Sequence, residues 1–207
     1  MLTLYSAELR EAATEELIGS LPAASREKIA SRKNRCEAAL GELLRLHMMQ
    51  VSGAPDEVAK GRYGKPYSPS RRDISFSISH SGGFAVGALL LCSCGEVGVD
   101  IERIDREKYG HRQKIAERFY TQNERMRISA SFDPVTEFYL TWTRKEAYLK
   151  YTGEGITRPL LSVDTTGLDA VVVSRVISDS RGAEYAFSVC IGEDGADIPI
   201  PDIERIY

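Results

Sequence analysis

A regular alternation of apolar and hydroxyl side chains between Ile74 and Ser81 constrains the fold more than any other stretch of the sequence. Because successive side chains of a β-strand point to opposite faces, this alternation predicts a half-buried strand. The next residues, Ser81-Gly82-Gly83, have turn composition, and the apolar run Phe84–Cys92 predicts a second strand. The middle of the chain is therefore expected to form two consecutive strands joined by a tight turn.

Helical and strand patterns flank these two strands on both sides. Helices are predicted over Ser6–Leu17, Ser25–Gln50 and Pro134–Tyr151, the last of which ends before Gly153. Residues Arg106–Ser129 are predicted to be helical in pieces, with a break near Tyr120-Thr121-Gln122. Further strands are predicted over residues 2–5, Glu96–Glu102, Ala170–Ile177 and Tyr185–Ile191, and Ser52–Pro69 is predicted to be mostly loop. Helix followed by strands occurs twice, which favours an α+β fold with two halves, residues 1–96 and 97–207.

Charge balance and the lengths of the apolar runs exclude several classes of protein. The chain has 207 residues with 27 Lys+Arg against 30 Asp+Glu, a net charge of −3, which argues against binding along a nucleic-acid backbone. The longest apolar run, Phe84–Cys92, is far short of the roughly 20 residues that span a bilayer. Acidic residues also interrupt the amino terminus where a signal peptide is apolar. We expect a soluble cytoplasmic protein that binds neither nucleic acid nor membrane.

The cysteines show no metal-binding or redox spacing. Cys36, Cys92, Cys94 and Cys190 contain no C-x-x-C pair and have no histidine at zinc-ligand distance along the chain. Cys92 and Cys94 alternate at the end of the apolar run and are expected on one face of a strand. All four are predicted to be buried free thiols.

Two acids in Val97-Gly98-Val99-Asp100-Ile101-Glu102 form the first candidate site. On a strand, Asp100 and Glu102 project to one face while Val99 and Ile101 point to the core. Paired carboxylates repel each other, and a hard divalent cation such as Mg²⁺ relieves that repulsion. Taken alone, the hexapeptide is equally compatible with two acids on a solvated strand face.

The helix predicted near the second half of the chain carries another acid and a lysine. Trp142, Glu146 and Lys150 are spaced at i, i+4 and i+8 and lie on roughly one helix face. Glu146 would be a metal ligand or a base if it packs near the paired acids, and Lys150 would neutralise a phosphate. The alternative is an ordinary surface Glu–Lys pair.

Two further motifs lie in the first half of the chain. Ser79 and His80 end a strand before two glycines, an arrangement that donates several hydrogen bonds to an anion. A Ser–His nucleophile is disfavoured because neighbouring strand residues face opposite ways and the chain has no G-x-S-x-G motif. Gly64-Lys65-Pro66 fixes a lysine between a glycine and a proline, and by itself it is a turn.

In this order and spacing, four blocks closely resemble the signatures of the 4′-phosphopantetheinyl transferase superfamily. They are G-K-P at 64–66, F-S-I-S-H-S at 76–81, V-G-V-D-I-E at 97–102 and W-x-x-K-E-A-x-x-K at 142–150. The length is similar to the surfactin-synthetase-activating (Sfp-type) branch, whose chains are about twice as long as those of the trimeric holo-acyl-carrier-protein synthases. The resemblance covers residues 26–164, including the turn at Gly153–Leu160.

That resemblance implies a fold, a reaction and a set of residues. The fold would be two similar α+β halves related by a pseudo-twofold axis, forming a monomer with coenzyme A in the cleft. The enzyme would move the 4′-phosphopantetheine arm of coenzyme A to a serine of an apo acyl or peptidyl carrier protein, with release of adenosine 3′,5′-bisphosphate. Residues implied by the matching positions are Asp100, Glu102 and Glu146 for Mg²⁺; Glu146 or Glu102 as the base; Lys150 at the pyrophosphate; Ser79 and His80 at the phosphates; Lys65 and Pro66 beside the adenine; and Lys28 at the 3′-phosphate.

The sequence departs from the family at some positions and leaves other functions open. Ser77 stands where the family often has asparagine, and Glu37 and Ala38 stand where basic or hydroxyl residues are common.

The segment from His111 to Arg127, with its basic residues, is expected to contact the carrier. A non-catalytic binding module on the same fold and a Mg²⁺-dependent nucleotide pyrophosphohydrolase are the alternative functions. The carrier itself, whether from fatty-acid, polyketide or peptide synthesis, is not indicated.

Overall fold

A computed structural model describes residues 1–9, 11–93, 95–107, 109–155, 158–192 and 198–207 of the chain. The helices are α1 Thr14–Ser20, α2 Ala23–Ala30, α3 Arg35–Ser52, α4 Tyr109–Phe119, α5 Gln122–Ala130 and α6 Pro134–Thr152. The strands are β1 Leu2–Glu8, β2 Ala59–Lys60, β3 Pro66–Tyr67, β4 Ile74–Ser81, β5 Phe84–Leu91, β6 Val97–Arg103, β7 Ala170–Ser178, β8 Glu184–Gly192 and β9 Ile203–Arg205. This content confirms the α+β class.

Two sheets form the body of the protein. The first has the order β4-β5-β1-β9, and the second has the order β6-β8-β7. Pairing is antiparallel throughout both sheets except between β1 and β9, which run parallel. The inner faces of the two sheets bury a common apolar cluster that joins Leu4, Val86 and Leu90 to Val99 and Phe187. This shared cluster makes the two sheets one packing unit.

One long helix covers the outer face of each sheet. On the first sheet, α3 buries Leu40, Leu44 and Met48 against Phe76 and Leu89. On the second sheet, α6 buries Ala147 and Leu149 near Cys190 of β8. Both helices end at a glycine in the left-handed region, Gly53 with φ +66° and Gly153 with φ +72°. A left-handed glycine after the last turn is a common helix terminator, so the predicted stop at Gly153 is confirmed.

The later elements agree closely with the sequence patterns, whereas the amino-terminal helices do not. The predicted break in the polar helical region is confirmed, because α5 starts after Thr121, which forms a reciprocal capping box with Glu124. The predicted helix over Ser6–Leu17 is wrong at its start: residues 6–8 continue β1 against β5. The predicted helix over Ser25–Gln50 is two helices, because the Asn34 side chain caps α3 by accepting a hydrogen bond from the Glu37 N–H at 3.2 Å.

The carboxyl-terminal tail joins the first sheet, and two of the cysteines differ from expectation. Residues 203–205 pair with β1 and extend the first sheet, so the tail returns to the amino-terminal half. Cys190 is a buried free thiol as predicted, but Cys36 and Cys92 are only half-buried, and Cys92 follows β5 instead of lying in it. Cys94 and residues 156–157 of the family-like turn lie outside the described residues. The boundary at residue 96 and the pseudo-twofold relation stay predictions.

No helix within the described ranges is long and apolar enough to cross a membrane. The cytoplasmic location and the monomeric state stay predictions.

Candidate active site

A row of serine side chains joins the edges of the two sheets. The outer edge of β6 faces β4, and its N–H groups at Val97, Val99 and Arg103 donate to serine hydroxyls at 3.1 Å each. The accepting hydroxyls belong in turn to Ser75, Ser77 and Ser81. An open strand edge exposes unpaired N–H groups, and here serine side chains satisfy them in place of a partner backbone. The polar face of β4 is therefore a buried seam, and the strand predicted to be half-buried is confirmed but is buried on its serine face as well.

The same seam holds the first acid of the candidate site. Asp100 is 5% exposed, and its Oδ1 accepts hydrogen bonds from Ser79 Oγ at 2.7 Å and from Lys150 Nζ at 2.8 Å. Its Oδ2 is buried and finds no hydrogen-bond partner among the residues that the structure describes. A carboxylate oxygen buried in this way carries a desolvation cost, which a cation at that oxygen would offset.

Two more acids share the electrostatic environment of Asp100. Burial raises the pKa of Glu102, the hydrogen bond from Ser81 opposes that rise, and the charge of Asp100 adds to it. Burial also raises the pKa of Glu146, with Asp100 and Glu102 adding to the rise and Lys150 opposing it. β6 thus brings Asp100 and Glu102 to one face, and α6 brings Glu146 and Lys150 to the same place, as the sequence predicts.

The three acids are close enough to repel one another electrostatically, but their side chains do not have the arrangement of a metal-binding site. Within the part of the chain that the structure describes, no group of three or more His, Cys, Asp or Glu side chains is arranged to hold a metal ion. Mutual repulsion and the unpartnered Asp100 oxygen are nevertheless the conditions that a bound divalent cation relieves. The donor set, three carboxylates, suits a hard cation.

A cavity of about 260 Å³ is lined in part by Lys150, which bonds Asp100. Lys65, Pro66, Phe76, Ile78 and Lys150 are among the residues that line it. Glycines at its rim, 64, 153 and 155, have positive φ values, which lets the backbone turn closely around the space. Lys65 and Pro66 therefore lie in the wall of a cavity that reaches Lys150, and their place beside an adenine stays a prediction.

The ammonium of Lys65 is held away from that space. Its Nζ donates to the Tyr151 carbonyl at 2.9 Å and to the Val97 carbonyl at 3.2 Å, and it forms an ion pair with Glu96 at 2.6 Å. Burial lowers the pKa of Lys65, and Glu96 opposes the effect. Lys65 thus ties the turn before β3 to the start of β6 and the end of α6, while its aliphatic stem contacts the cavity rim near Gly153.

A second cavity, of about 530 Å³, is strongly basic. It shares Pro66, Phe76 and Ile78 with the first, so the two spaces meet at one wall. Its other lining residues include five charged side chains and one histidine: Lys28, Arg32, Lys33, Arg45, Glu42 and His80. Several cations around one cavity favour an anionic ligand. Because the basic cavity meets the smaller cavity at Pro66, the two together suit an aromatic base that carries phosphates.

The two predicted phosphate ligands in this cavity are both accessible. Lys28 has a side chain 62% exposed and lies 3.6 Å from Glu42. His80 Nδ1 lies 3.2 Å from Glu37 Oε2, and Glu37 Oε1 also accepts the Gly82 N–H at 2.9 Å. Glu37 therefore positions the imidazole. Ser79, by contrast, is only 8% exposed and donates to Asp100, so it contacts the acids directly.

Some residues of the site were not singled out by the sequence patterns. Arg32 and Lys33 lie between two helices where one helix was expected. Lys145 forms a buried ion pair with Glu124. Both side chains are 0% exposed, and Lys145 Nζ lies 2.7 Å from Glu124 Oε2. The sequence signal that could have pointed to Glu124 is the T-x-x-E spacing of Thr121 and Glu124, which is typical of the first turn of a helix. This helix start precedes the W-x-x-K-E-A block, which contains Lys145.

The basic residues expected to contact a carrier are partly engaged within the protein. Arg127 pairs with Glu137 at 2.9 Å, and the guanidinium groups of Arg112 and Arg118 stack on aromatic rings. Lys114 and Arg125 are exposed. The side chain of His111 lies outside the described residues, and carrier contact by α4 and α5 stays a prediction.

Comparison with known proteins identifies a family and several relatives. Residues 96–194 match the 4′-phosphopantetheinyl transferase superfamily. The 4′-phosphopantetheinyl transferase ffp of Bacillus subtilis is 32% identical over 161 residues, which cover 73% of this chain and 69% of that protein. The 4′-phosphopantetheinyl transferase gsp of Aneurinibacillus migulanus is 39% identical over 136 residues, 63% of this chain and 54% of that protein.

A third relative places the chain near one branch of these proteins. The 4′-phosphopantetheinyl transferase Sfp of Bacillus subtilis strain 168 is 35% identical over 125 residues, 59% of this chain and 53% of that protein. The chain thus spans between 53% and 69% of the length of these three relatives.

Proposed function

Because this chain belongs to the 4′-phosphopantetheinyl transferase superfamily and is similar to Sfp, we propose that it transfers the 4′-phosphopantetheine arm of coenzyme A to a serine hydroxyl of an apo acyl or peptidyl carrier protein. The observation that carries the proposal is the path from the basic cavity, past Pro66, to Lys150 and the acids. A nucleotide that fills this path ends with its pyrophosphate beside the acids.

Coenzyme A fits the two cavities by its chemistry. Its 3′-phosphate suits the basic cavity, where Lys28, Arg32 and His80 supply cationic or donor groups. Its adenine suits the wall formed by the Lys65 stem and Pro66. Lys150 lines the smaller cavity and bonds Asp100, so the same ammonium is within reach of a pyrophosphate oxygen when the nucleotide is bound.

Asp100, Glu102 and Glu146 would hold Mg²⁺, whose charge would relieve the repulsion among them and offset the cost of burying the unpartnered Asp100 oxygen. When bound, such an ion neutralises the charge that builds on phosphate oxygens during transfer. Lys150 adds a second positive charge at the same place, because its Nζ already lies 2.8 Å from Asp100.

We assign proton removal to Glu146. A serine hydroxyl is a weak nucleophile at neutral pH and needs a base to take its proton. Burial raises the pKa of Glu146 toward the range where a carboxylate is an effective base. The serine oxygen then bonds to the phosphorus that carries the pantetheine arm. The bond to the bridging oxygen breaks, adenosine 3′,5′-bisphosphate leaves, and the hydroxyl proton remains on Glu146.

Mass spectrometry of an apo carrier protein incubated with this protein, coenzyme A and Mg²⁺ tests the proposed function. A gain of about 340 Da on one serine, with equimolar bisphosphate release, is expected. Bisphosphate release without any carrier would instead indicate a pyrophosphohydrolase. Coenzyme A binding without a mass gain on any of several unrelated carriers would indicate a non-catalytic binding module.

The role of Glu146 is tested separately by Glu146→Gln. We expect transfer to be abolished while the Kd for coenzyme A stays within about tenfold of the wild-type value, because the amide keeps the shape and loses the base. Glu16→Gln, on the exposed face of α1, is the matched control and should transfer normally. Normal turnover by Glu146→Gln would remove Glu146 from both its proposed roles.

A further inference from the structure

Two serines at opposite ends of β4 make the same pair of hydrogen bonds. Ser75 Oγ accepts the Val97 N–H at 3.1 Å and donates to Glu96 Oε2 at 2.7 Å. Ser81 Oγ accepts the Arg103 N–H at 3.1 Å and donates to Glu102 Oε2 at 2.7 Å. Each hydroxyl therefore fixes a glutamate side chain relative to the backbone of β6.

The two carboxylates differ in what they do. Glu96 precedes β6, is 57% exposed and pairs with Lys65. Glu102 lies within β6, is half-buried and shares the electrostatic environment of Asp100 and Glu146. Within the described residues, Ser81 donates a hydrogen bond to the Glu102 carboxylate and the nearby charge of Arg112 lowers the pKa of Glu102, whereas Glu96 forms a direct ion pair with Lys65.

The position of Ser81 is itself fixed by the turn that follows it. Gly82 has φ +59°, its N–H donates to Glu37 at 2.9 Å, and its carbonyl accepts the Tyr185 hydroxyl at 3.2 Å. These two bonds tie the turn to α3 on one side and to β8 on the other. Because the Arg103 N–H also orients the Ser81 hydroxyl, its proton is directed at Glu102 before any substrate binds.

We propose that Ser81 is a positioning residue for the transfer reaction, which holds the Glu102 carboxylate toward Asp100 and Glu146. The proposal rests on the proposed function, in which Glu102 is one of the three acids. It predicts that loss of the Ser81 hydroxyl lowers turnover through Glu102, whereas loss of the equivalent Ser75 hydroxyl changes only the stability of the seam.

Ser81→Ala, Ser75→Ala and Ser81→Thr separate these effects. We expect Ser81→Ala to lower kcat by about 10- to 100-fold, with the KM for coenzyme A within about twofold, because small displacements of a reacting group cost rate more than binding. Ser75→Ala should lower the midpoint of urea unfolding by about as much as Ser81→Ala does, and should keep its kcat within about twofold of the wild type. Ser81→Thr, which restores the hydroxyl, should recover kcat to within about threefold of the wild type.

Calorimetric titration of the coenzyme A-loaded proteins with Mg²⁺ gives a second measurement that needs no turnover. Ser81→Ala should bind Mg²⁺ about tenfold more weakly than Ser75→Ala, since a mobile carboxylate is a poorer ligand. Equal kcat values and equal Mg²⁺ affinities for the two alanine variants would overturn the role of Ser81. Wild-type protein that binds Mg²⁺ in this Ser81-dependent way but never modifies a carrier would overturn the proposed function alone. If Ser81→Ala does not fold, Ser81→Cys keeps the size with a weak donor, and wild-type kcat in that variant would overturn the proposal.

Discussion

Gly98 on β6 faces the Ala147 carbonyl of α6 so closely that a Cβ at Gly98 would lie 2.0 Å from that oxygen and 2.4 Å from the Tyr151 nitrogen. Both atoms belong to the helix backbone and cannot rotate away. The glycine therefore lets α6 lie directly on β6, and this contact sets the distance between the acid of the helix, Glu146, and the acids of the strand.

Gly98→Ala should separate the helix from the strand. We expect a loss of unfolding free energy of about 3 kcal/mol, the upper end for an overpacked core, and near-complete loss of transfer even in the folded fraction. Urea unfolding and the carrier assay measure the two effects. The control is Gly19→Ala, where a Cβ meets nothing within 4 Å; it should be neutral or stabilising by up to about 1 kcal/mol. Wild-type transfer by Gly98→Ala would show that this contact does not set the site.

The basic cavity yields a prediction about ligand discrimination. Lys28→Ala and His80→Ala should each weaken coenzyme A binding by roughly 3- to 10-fold. Each should change the binding of dephospho-coenzyme A less than twofold, because dephospho-coenzyme A lacks the 3′-phosphate. Calorimetry with both ligands measures the ratio. Lys60→Ala, on the exposed strand β2, is the matched charge control. Equal losses for both ligands would dissociate Lys28 and His80 from that phosphate.

The sequence predicts the acids of the site better than their supports. Period-two and period-3.6 patterns place Asp100 with Glu102, and Glu146 with Lys150, because each pair lies on one regular element. The Ser79 and Ser81 contacts to the acids join two strands of different sheets, and no local pattern encodes which edges meet. For the same reason the alternation of Ile74–Ser81 predicts a half-buried strand but does not indicate that its serines fill a seam with β6.

The amino-terminal elements show a second reason for error. Residues 6–8 have a helix-compatible composition, but pairing of all three with β5, and of Ser6 with the distant β9, makes them strand. Tertiary pairing overrides local propensity most readily in short segments. The helix over Pro134–Tyr151 was predicted well because Gly153 is a local stop signal that directly follows the last residue of α6.

A buried ion pair beside the basic cavity makes stability depend on pH. Burial alone would raise the pKa of Glu42, but hydrogen bonds from Arg45 and Ser25, with the nearby charge of Lys28, lower it to about 2. A carboxyl whose pKa is lower in the folded state stabilises the fold above its unfolded pKa, near 4.5, and this contribution is lost as pH falls toward 2.

Glu42→Gln should therefore cost up to roughly 3 kcal/mol of unfolding free energy at pH 6, and the difference from the wild type should shrink steadily below pH 4.5. Urea unfolding of both proteins between pH 2.5 and 7 measures it. A difference that is constant across this range would mean that the Glu42 charge does not stabilise the fold.

Lys145 and Glu124 provide the sharpest test of the core beneath the site. The Lys145 ammonium also donates to the carbonyls of Leu160, at 2.9 Å, and of Val163, and Glu124 Oε1 accepts the Thr165 N–H at 2.8 Å. Lys145→Met leaves the Glu124 carboxylate buried without its partner, so we expect a loss of about 3–5 kcal/mol in unfolding free energy.

Glu124→Gln should cost less, because the amide can keep the helix cap and burial already lowers the pKa of Lys145, which makes loss of its proton easier. The double variant should be more stable than the sum of the single losses predicts, with a coupling of about 1–3 kcal/mol measured by urea unfolding at pH 7. Lys114→Met, on the exposed face of α4, controls for loss of a lysine charge and should change stability by less than about 0.5 kcal/mol. Additive losses in the double variant would show that the two side chains stabilise the protein independently, in spite of the 2.7 Å contact between them.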